Sequence, residues 1–508
     1  MKKNIFISFA LASTLFVSAQ QKNSLLDQSF WKTSPDVATV QAEIAKGNNP
    51  SASTANLFDA VVMAINSDAP TATIKFLLEQ PGNTVNKPTH DNRIYLHWAS
   101  GKGNLEIVQY LIDKGSEINL EDSHSSFPIT AAAVNGVSNT AVYEALFKAG
   151  VDPKKKYKDG ANLLLLSIAS DKDLKLATYF ATKGMSIKDV DDNGNTAINY
   201  VARTGNIALI KTLLEKGVKH NDNALLFAAQ GSRRDSNTLE TYKYLVEDLK
   251  IKPTATSKNG ETVLHFLVSK PNQSDIINYF LAKDVDANKA DNEGNTPLMI
   301  AAAGRDTQAL QQLLPLVKNN NTQNGKGETA LSIAVKSGSP EAVTLLLNNG
   351  ADAKTIDKDG NNLGFYLVQS YRPQMMGGMG MGRNPESSNA PKQDPFAAKI
   401  KLLQDKGLNL ATPQKDGNSL YHIAIIKNDL TLLKKLADLN IDINLKNKDG
   451  LTVLHKAAMI SKDDAILKYL VSIGAKKEIT TEFEETTYAL AKENESLTKN
   501  KTDIEFLK

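Results

Sequence analysis

Apolar residues along this chain recur in short helical stripes broken by polar turns, and the same break returns at intervals of about 33 residues. The segment from Thr329 shows the unit. Thr329-Ala330-Leu331-Ser332-Ile333-Ala334 predicts a first helix, after which the chain turns at Gly338. Ser339 is a good N-cap, and Pro340 fits the first helical position, where its missing N–H costs nothing. Val343, Leu346 and Leu347 form the i, i+3, i+4 stripe of a second helix. Gly350 stands where that helix needs a left-handed terminating residue. Ala351-Asp352 begins an extended segment that reverses at Asp359-Gly360, a pair suited to positive φ. The unit reads as helix, turn, helix, projecting hairpin.

Equivalent positions fall at Ile94, Phe127, Asn162, Thr196, Asn223, Thr262, Thr296, Thr329, Asn362, Ser419, Thr452 and Thr486, with a weaker first copy centred on Asn56. The interval is short before Asn223 and long after it, which predicts a shortened connection followed by a lengthened helix. Between Asn362 and Ser419 one period carries an insertion. A stack with this register holds each repeat by its neighbours alone and presents a surface rather than a reactive pocket.

The repeated residues carry a family resemblance. Thr296-Pro297-Leu298-Met299-Ile300-Ala301 and Thr452-Val453-Leu454-His455-Lys456-Ala457-Ala458 resemble the Thr-Pro-Leu-His-x-Ala signature of ankyrin repeats, and Gly350-Ala351-Asp352 is similar to their Gly-Ala-Asp. The copies at Asn162 and Asn362 lack the Thr, and the Phe127 copy keeps Pro128 but has Thr130 where His is usual. The resemblance covers residues 56 to 494 and implies an all-α, elongated ankyrin-repeat solenoid of helix-turn-helix-hairpin units with N- and C-terminal caps. The expected organisation is a signal peptide over 1–19, N-terminal capping helices over 20–55 and repeats over 56–372. A flexible Met/Gly-rich insertion over 373–395, repeats over 396–480 and a C-terminal cap over 481–508 complete it. In the first cap Leu25, Leu26, Phe30 and Trp31 supply one helix, and Ser34-Pro35-Asp36-Val37 followed by Ile44 and Gly47 a second with its own start and stop. In the last, Thr486 to Leu497 is expected as one helix and Asp503 to Leu507 as the stub of another.

Composition narrows the class. Of 508 residues, 41% are hydrophobic and 23% charged, as in an ordinary folded protein. Lys2 and Lys3, the stretch Ile5 to Val17 and the small residues Val17-Ser18-Ala19 read as a secretory leader cleaved near Ala19, with an uncleaved N-terminal anchor as the other reading. Without Lys2 and Lys3 the 59 basic residues fall to 57 against 56 acidic, so the balance offers no basic face for nucleic acid. There is no cysteine, which removes disulfides, Cys-type zinc sites and a thiol nucleophile. The expected setting is periplasmic or secreted, without a membrane span, as a monomer.

The candidate chemistry is sparse. His97, His265, His422 and His455 occupy the signature His position, where the resemblance implies structural hydrogen bonds to backbone; His90, His124 and His220 lie in separate hairpins without ligand spacing. Asp189-Val190-Asp191-Asp192-Asn193-Gly194 begins like a calcium loop, but Tyr200 stands where the bidentate Glu belongs, so it reads as a hairpin turn. Met375, Met376, Met379 and Met381 cluster in the insertion, which reads either as a flexible loop or as a soft-metal or partner site. Lys154, Lys155, Lys156, Tyr157 and Lys158 form a charge run at a hairpin tip, either solvated or gripping an anionic partner. One position of the first helices reads Trp98, Tyr200, Phe227, Phe266 and Tyr366, with Ile300, Ile333 and Ile423 between. That column is either inter-repeat core or a row of aromatic anchors on the groove.

No nucleophile–base pair or phosphate-cradling loop is visible. The resemblance implies a non-enzymatic protein-binding scaffold, without cofactor, acting on another exported protein through the concave face and hairpin tips. Trp98, Lys154, Lys155, Lys156, Tyr157, Tyr200 and Phe266 are the expected contacts. The alternative is an accessory that handles haem or copper, for example in support of an exported catalase, as some bacterial exported ankyrin proteins are associated with that role.

Overall fold

A computed structural model describes residues 23–232, 236–304, 306–373 and 394–508. The stretch read as a secretory leader and the four insertion methionines lie outside the described residues. Contacts divide the chain into two units, Met1–Ala202 with Asn206–Asn221, and Arg203–Gly205 with Asp222–Lys508. In each unit successive first helices pack side by side, and most second helices form a parallel row behind them. Among the described residues the ordered elements are helical; in the hairpins only isolated bridges join Ser53 to Asp59, Thr256 to Thr262 and Thr480 to Thr486.

The predicted register places the helix starts. Ile94, Phe127, Asn162, Thr196, Thr262, Thr296, Thr329, Asn362, Ser419, Thr452 and Thr486 each immediately precede a first helix. Two copies depart: Asn223 is itself the first residue of its helix, after Asp222, and in the first copy the cap is Asp59, not Asn56, its carboxylate accepting the Val62 N–H at 3.0 Å. The slip has a local cause. Leu57 occupies the left-handed position (φ 60°) that Gly marks in later copies, so the turn signal is missing from the sequence.

Two other expectations are corrected. The long interval after Asn223 does not lengthen a helix. It lies in the connection between helices Asn223–Gln230 and Leu239–Lys243, and the second helix continues only as a π turn over Tyr244–Asp248. At the C-terminus, Thr486 to Leu497 is not one helix. Asn494 ends Thr487–Glu493 and caps Glu495–Lys499, accepting from the Ser496 and Leu497 N–H groups while its amide donates to the carbonyls of Ala458 and Ser461. An Asn that satisfies both helix ends outweighs helix propensity there.

The hairpins are built from one repeated device. Five residues before the helix cap, a short polar side chain accepts two N–H groups of its own turn. Asp191 takes those of Asn193 and Asn195 at 2.9 Å each, Asp291 those of Glu293 and Asn295 at 2.9 and 2.8 Å, and Asn324 those of Lys326 and Glu328 at 2.9 Å each. Ser257, Asn447 and Thr481 do the same in their copies. Tips then join tips through backbone: Asp192 N–H to Asp159 C=O at 2.9 Å, Asn292 to Asn259 at 2.8 Å, Lys358 to Lys326 at 3.0 Å and Lys448 to Asp416 at 3.0 Å. The close approach needs Gly at some tips; a Cβ at Gly327 would lie 2.5 Å from the Lys358 nitrogen.

Asp191→Ala should therefore release the amides of Asn193 and Asn195, with hydrogen-exchange protection falling by the equivalent of about 2–3 kcal/mol. Asp191→Asn should change it far less, because Asn fills this role at 324 and 447. Equal effects of the two substitutions would show that the turn does not depend on the acceptor oxygen.

Candidate functional site

The surface on which a stack of this kind can act is made by hairpin tips and first helices. The four signature histidines belong to the framework. Nδ1 of His97, His265, His422 and His455 accepts the N–H of the residue before the helix, at 3.3, 3.0, 3.2 and 3.1 Å. Nε2 lies 3.2, 3.1, 3.0 and 2.8 Å from the carbonyls of Ser126, Asn295, Leu451 and Ile479 in the following hairpin. One neutral tautomer satisfies both contacts, with the proton on Nε2. Copies without His keep the acceptor: Thr130 Oγ1, Asn199 Oδ1, Ser332 Oγ and even Met299 Sδ take the same N–H. In the Asn362 copy the following hairpin supplies it through Gln414 Oε1 at 2.7 Å.

The Asp189-to-Gly194 loop is a turn. Asp191 holds its own hairpin and the Tyr200 hydroxyl, Asp189 accepts from the Ser186 N–H and Asn162, and Asp192 faces Lys156 at 3.4 Å.

Three members of the aromatic column tie first helix to hairpin, and Tyr366 and Ile423 are also buried in the core. Tyr200 donates to Asp191 at 2.9 Å, Tyr366 to Asp357 at 2.7 Å, and Trp98 Nε1 to Thr89 Oγ1 at 2.9 Å. Each acceptor is the turn residue of the same repeat. Trp98, Tyr200 and Phe266 remain half-buried, and Arg93 lies over the Trp98 ring at 5.1 Å.

The lysine run is likewise partly absorbed. Tyr157 is buried against Phe127, ring centres 5.5 Å apart, which removes it as a surface contact. Lys155 sits over the Phe127 ring at 3.9 Å, a cation–π arrangement, while Lys154, Lys156 and Lys158 are exposed.

The residue that stands out was not singled out by the sequence reading. Phe483 is 84% exposed at the last hairpin tip, three residues before its cap. The same position holds Asp91, His124, Asp159, Asn193, Asn259, Glu293, Lys326, Asp359, Asp416 and Asp449 in the other hairpins. On the first helices of the neighbouring repeats Ile426 is 70% exposed, Met459 49% and Ile460 43%. The signal was available: aligning the tip column shows one aromatic among polar residues. Glu482 and Glu484 flank it, both exposed.

Comparison with known proteins agrees with this architecture. A family model of ankyrin repeats in three copies matches residues 34–122, 129–224 and 225–315, and two further ankyrin-repeat models match 316–363 and 421–471. The chain belongs to the ankyrin-repeat family. This ankyrin-repeat protein is 23% identical over 349 residues to the putative ankyrin repeat protein L371 of Acanthamoeba polyphaga mimivirus, covering 61% of this chain and 42% of that one. It is 24% identical over 237 residues to NF-kappa-B inhibitor delta of Mus musculus, covering 44% and 70%. A match at 33% identity over 154 residues to palmitoyltransferase AKR1 of Lachancea kluyveri covers 28% of this chain and 20% of that enzyme. The chain thus spans less than half the length of its viral and yeast relatives. Among solved structures, the ankyrin repeat domain of Bcl-3 matches with a TM-score of 0.35 at 20% identity, over 46% of this chain and 95% of that one. The ankyrin fold is typically non-enzymatic. No helix among the described residues is long and apolar enough to cross a membrane.

Burial holds the signature histidines below their ordinary titration range, and His422 is pushed down to about 4. An unfolded chain takes up these protons near pH 6.5 while the folded chain refuses them, so stability is complete above pH 6.5 and drains as pH falls toward 4. For His422 the loss is on the order of 3 kcal/mol. Thermal midpoints measured between pH 7 and pH 4 should fall, and His422→Asn should flatten that slope, since Asn fills the same place at 199. An unchanged slope would mean this ring is not the titrating group.

Proposed function

We propose that this protein is a non-enzymatic scaffold that holds another protein against its hairpin tips and first helices. Phe483 carries the reading. An exposed aromatic where every counterpart is polar gains nothing for the hairpin's own turn, and aromatic anchors beside aliphatic neighbours dominate protein interfaces. Ile426, Met459 and Ile460, exposed at the ends of the first helices of the two preceding repeats, add further apolar surface. Glu482 and Glu484 on either side of Phe483 favour a partner segment that is apolar at its centre and basic at its rim. Half-buried Trp98, Tyr200 and Phe266, with Lys154, Lys155 and Lys156, are secondary contacts on the first helices and hairpin tips of earlier repeats. One relative is named as an inhibitor of NF-kappa-B, and holding another protein is compatible with such a name.

The leader-like sequence over 1–19 supports export, so the partner is proposed to be another exported protein met in the periplasm or outside the cell. That placement rests on the sequence alone, and the relatives named above are viral and eukaryotic.

The test is capture from an extract of the source organism by the tagged chain, followed by affinity measurement on variants. Phe483→Ser should weaken a stoichiometric partner by roughly tenfold or more. Ile473→Ser, which removes an exposed apolar residue just after a second helix, should not. Both variants should melt with the parent. Equal retention by the two, or no stoichiometric partner, would count against the reading.

A further inference from the structure

The second helix of the Asn362 repeat, Pro395–Asp405, contains a residue that breaks the rule of the stack. Counted back eight positions from the left-handed residue that ends the second helix, most other repeats present buried aliphatic residues, among them Ile107, Val142, Leu209 and Ile466, and the repeat with the π turn presents buried Tyr242. Counted back from Gly407, the same position is Lys399, only 4% exposed. Its Nζ donates to the Val335 carbonyl at 2.8 Å. An ammonium has three N–H donors, and among the described residues this one bond leaves two of them without an acceptor. Burial pushes the amine down to about 8, and among the described residues no carboxylate offsets it. A solitary buried cation in place of an aliphatic side chain is costly to the fold, and the stack shows elsewhere that it does not need one.

Lys399 lines a cleft of about 810 Å3 between the helix turns of three successive repeats. The acids along this cleft are already engaged. Asp394 pairs with Lys435 at 2.5 Å, and both oxygens of Asp429 lie 3.2 Å from the Tyr371 hydroxyl. Neither Lys399 nor Arg372, which also lines it, has a carboxylate partner among the described residues. Tyr371 and Phe396, in edge contact with ring centres 5.5 Å apart, form an apolar wall together with Pro340 and Pro395.

We propose that this cleft is a binding site for a small organic carboxylate, its anionic end taken by the Lys399 ammonium and its apolar body lying against the Tyr371–Phe396 wall. The cleft meets the first helices only at their C-terminal ends, through Lys336, Ser337 and Ser370, and contains none of the residues to which protein binding is assigned, so the two readings are tested independently.

Benzoate serves as the probe, with inorganic phosphate as the control, titrated into the full chain by calorimetry. Benzoate should bind saturably and more tightly than phosphate. Lys399→Met, which restores the apolar character seen in the other repeats, should fold and weaken benzoate by about tenfold or more. A second measurement needs no variant: acetylation of the unmodified protein by acetic anhydride, read by mass spectrometry, should slow at Lys399 when benzoate is present and not at exposed Lys448. Four results would overturn the proposal: no saturable benzoate binding, equal binding of phosphate, equal binding by Lys399→Met, or no protection of Lys399. If Lys399→Met melts well below the parent while benzoate fails to bind the parent, the lysine is a helix-end cap and nothing more.

Discussion

Eight first helices among the described residues begin with a backbone N–H, that of Ile94, Phe127, Thr196, Thr262, Thr296, Thr329, Ser419 or Thr452, that has no backbone partner within the helix. The rest of the architecture depends on how that donor is satisfied. A side chain three residues on reaches back to accept it, and in four copies the imidazole that does so also donates to a carbonyl of the following hairpin. The helix start is thereby completed only when the next repeat is in place. The tip-to-tip backbone bonds repeat the same logic. Each unit closes its own polar groups partly with its neighbour's atoms, so a single repeat leaves unsatisfied groups and buries too little to stand alone.

This explains what was legible from sequence and what was not. The register was legible because Gly at the turn and a polar cap leave marks in the sequence at a fixed distance. Where Leu57 replaces the turn Gly, the reading slipped by three residues to Asn56. The acceptor role was legible where it fell on His and hidden where Thr130, Ser332 or Met299 performs it, since the framework asks for a lone pair in one place rather than for one residue type. Tyr157 was misread for a related reason: a tyrosine inside a run of lysines looks solvated, yet Phe127 at the start of the preceding helix provides a ring to cover it. The two units recognised by contact fall near the shortened interval at Asn223, which the sequence showed as an irregularity of spacing without indicating its consequence.

The same demand for satisfied backbone also limits where function can sit. Asp191, Asp291, Asn324 and Asp357 look like chemical groups in the sequence, but their oxygens are occupied by turn amides and tyrosine hydroxyls. The histidines are neutral struts. Most of the polar residues that a site search would collect along these hairpins are consumed in holding the stack together. What is free to act is what the framework does not use, and it is best recognised by comparing one repeat with the others.

That comparison turns the repetition into an internal control. A tip position that is polar in hairpin after hairpin shows that the turn tolerates polarity and gains nothing from an aromatic ring, so Phe483 answers to something outside the turn. A core position that is aliphatic in helix after helix shows that the interface closes without charge, so Lys399 answers to something other than packing. Phe483 leaves apolar surface in water and Lys399 leaves charge out of it. Departures from local consistency of this kind are where natural sequences accept instability for function. A stack of nearly equivalent repeats makes them visible without any other sequence to compare, because each repeat states what the backbone alone requires.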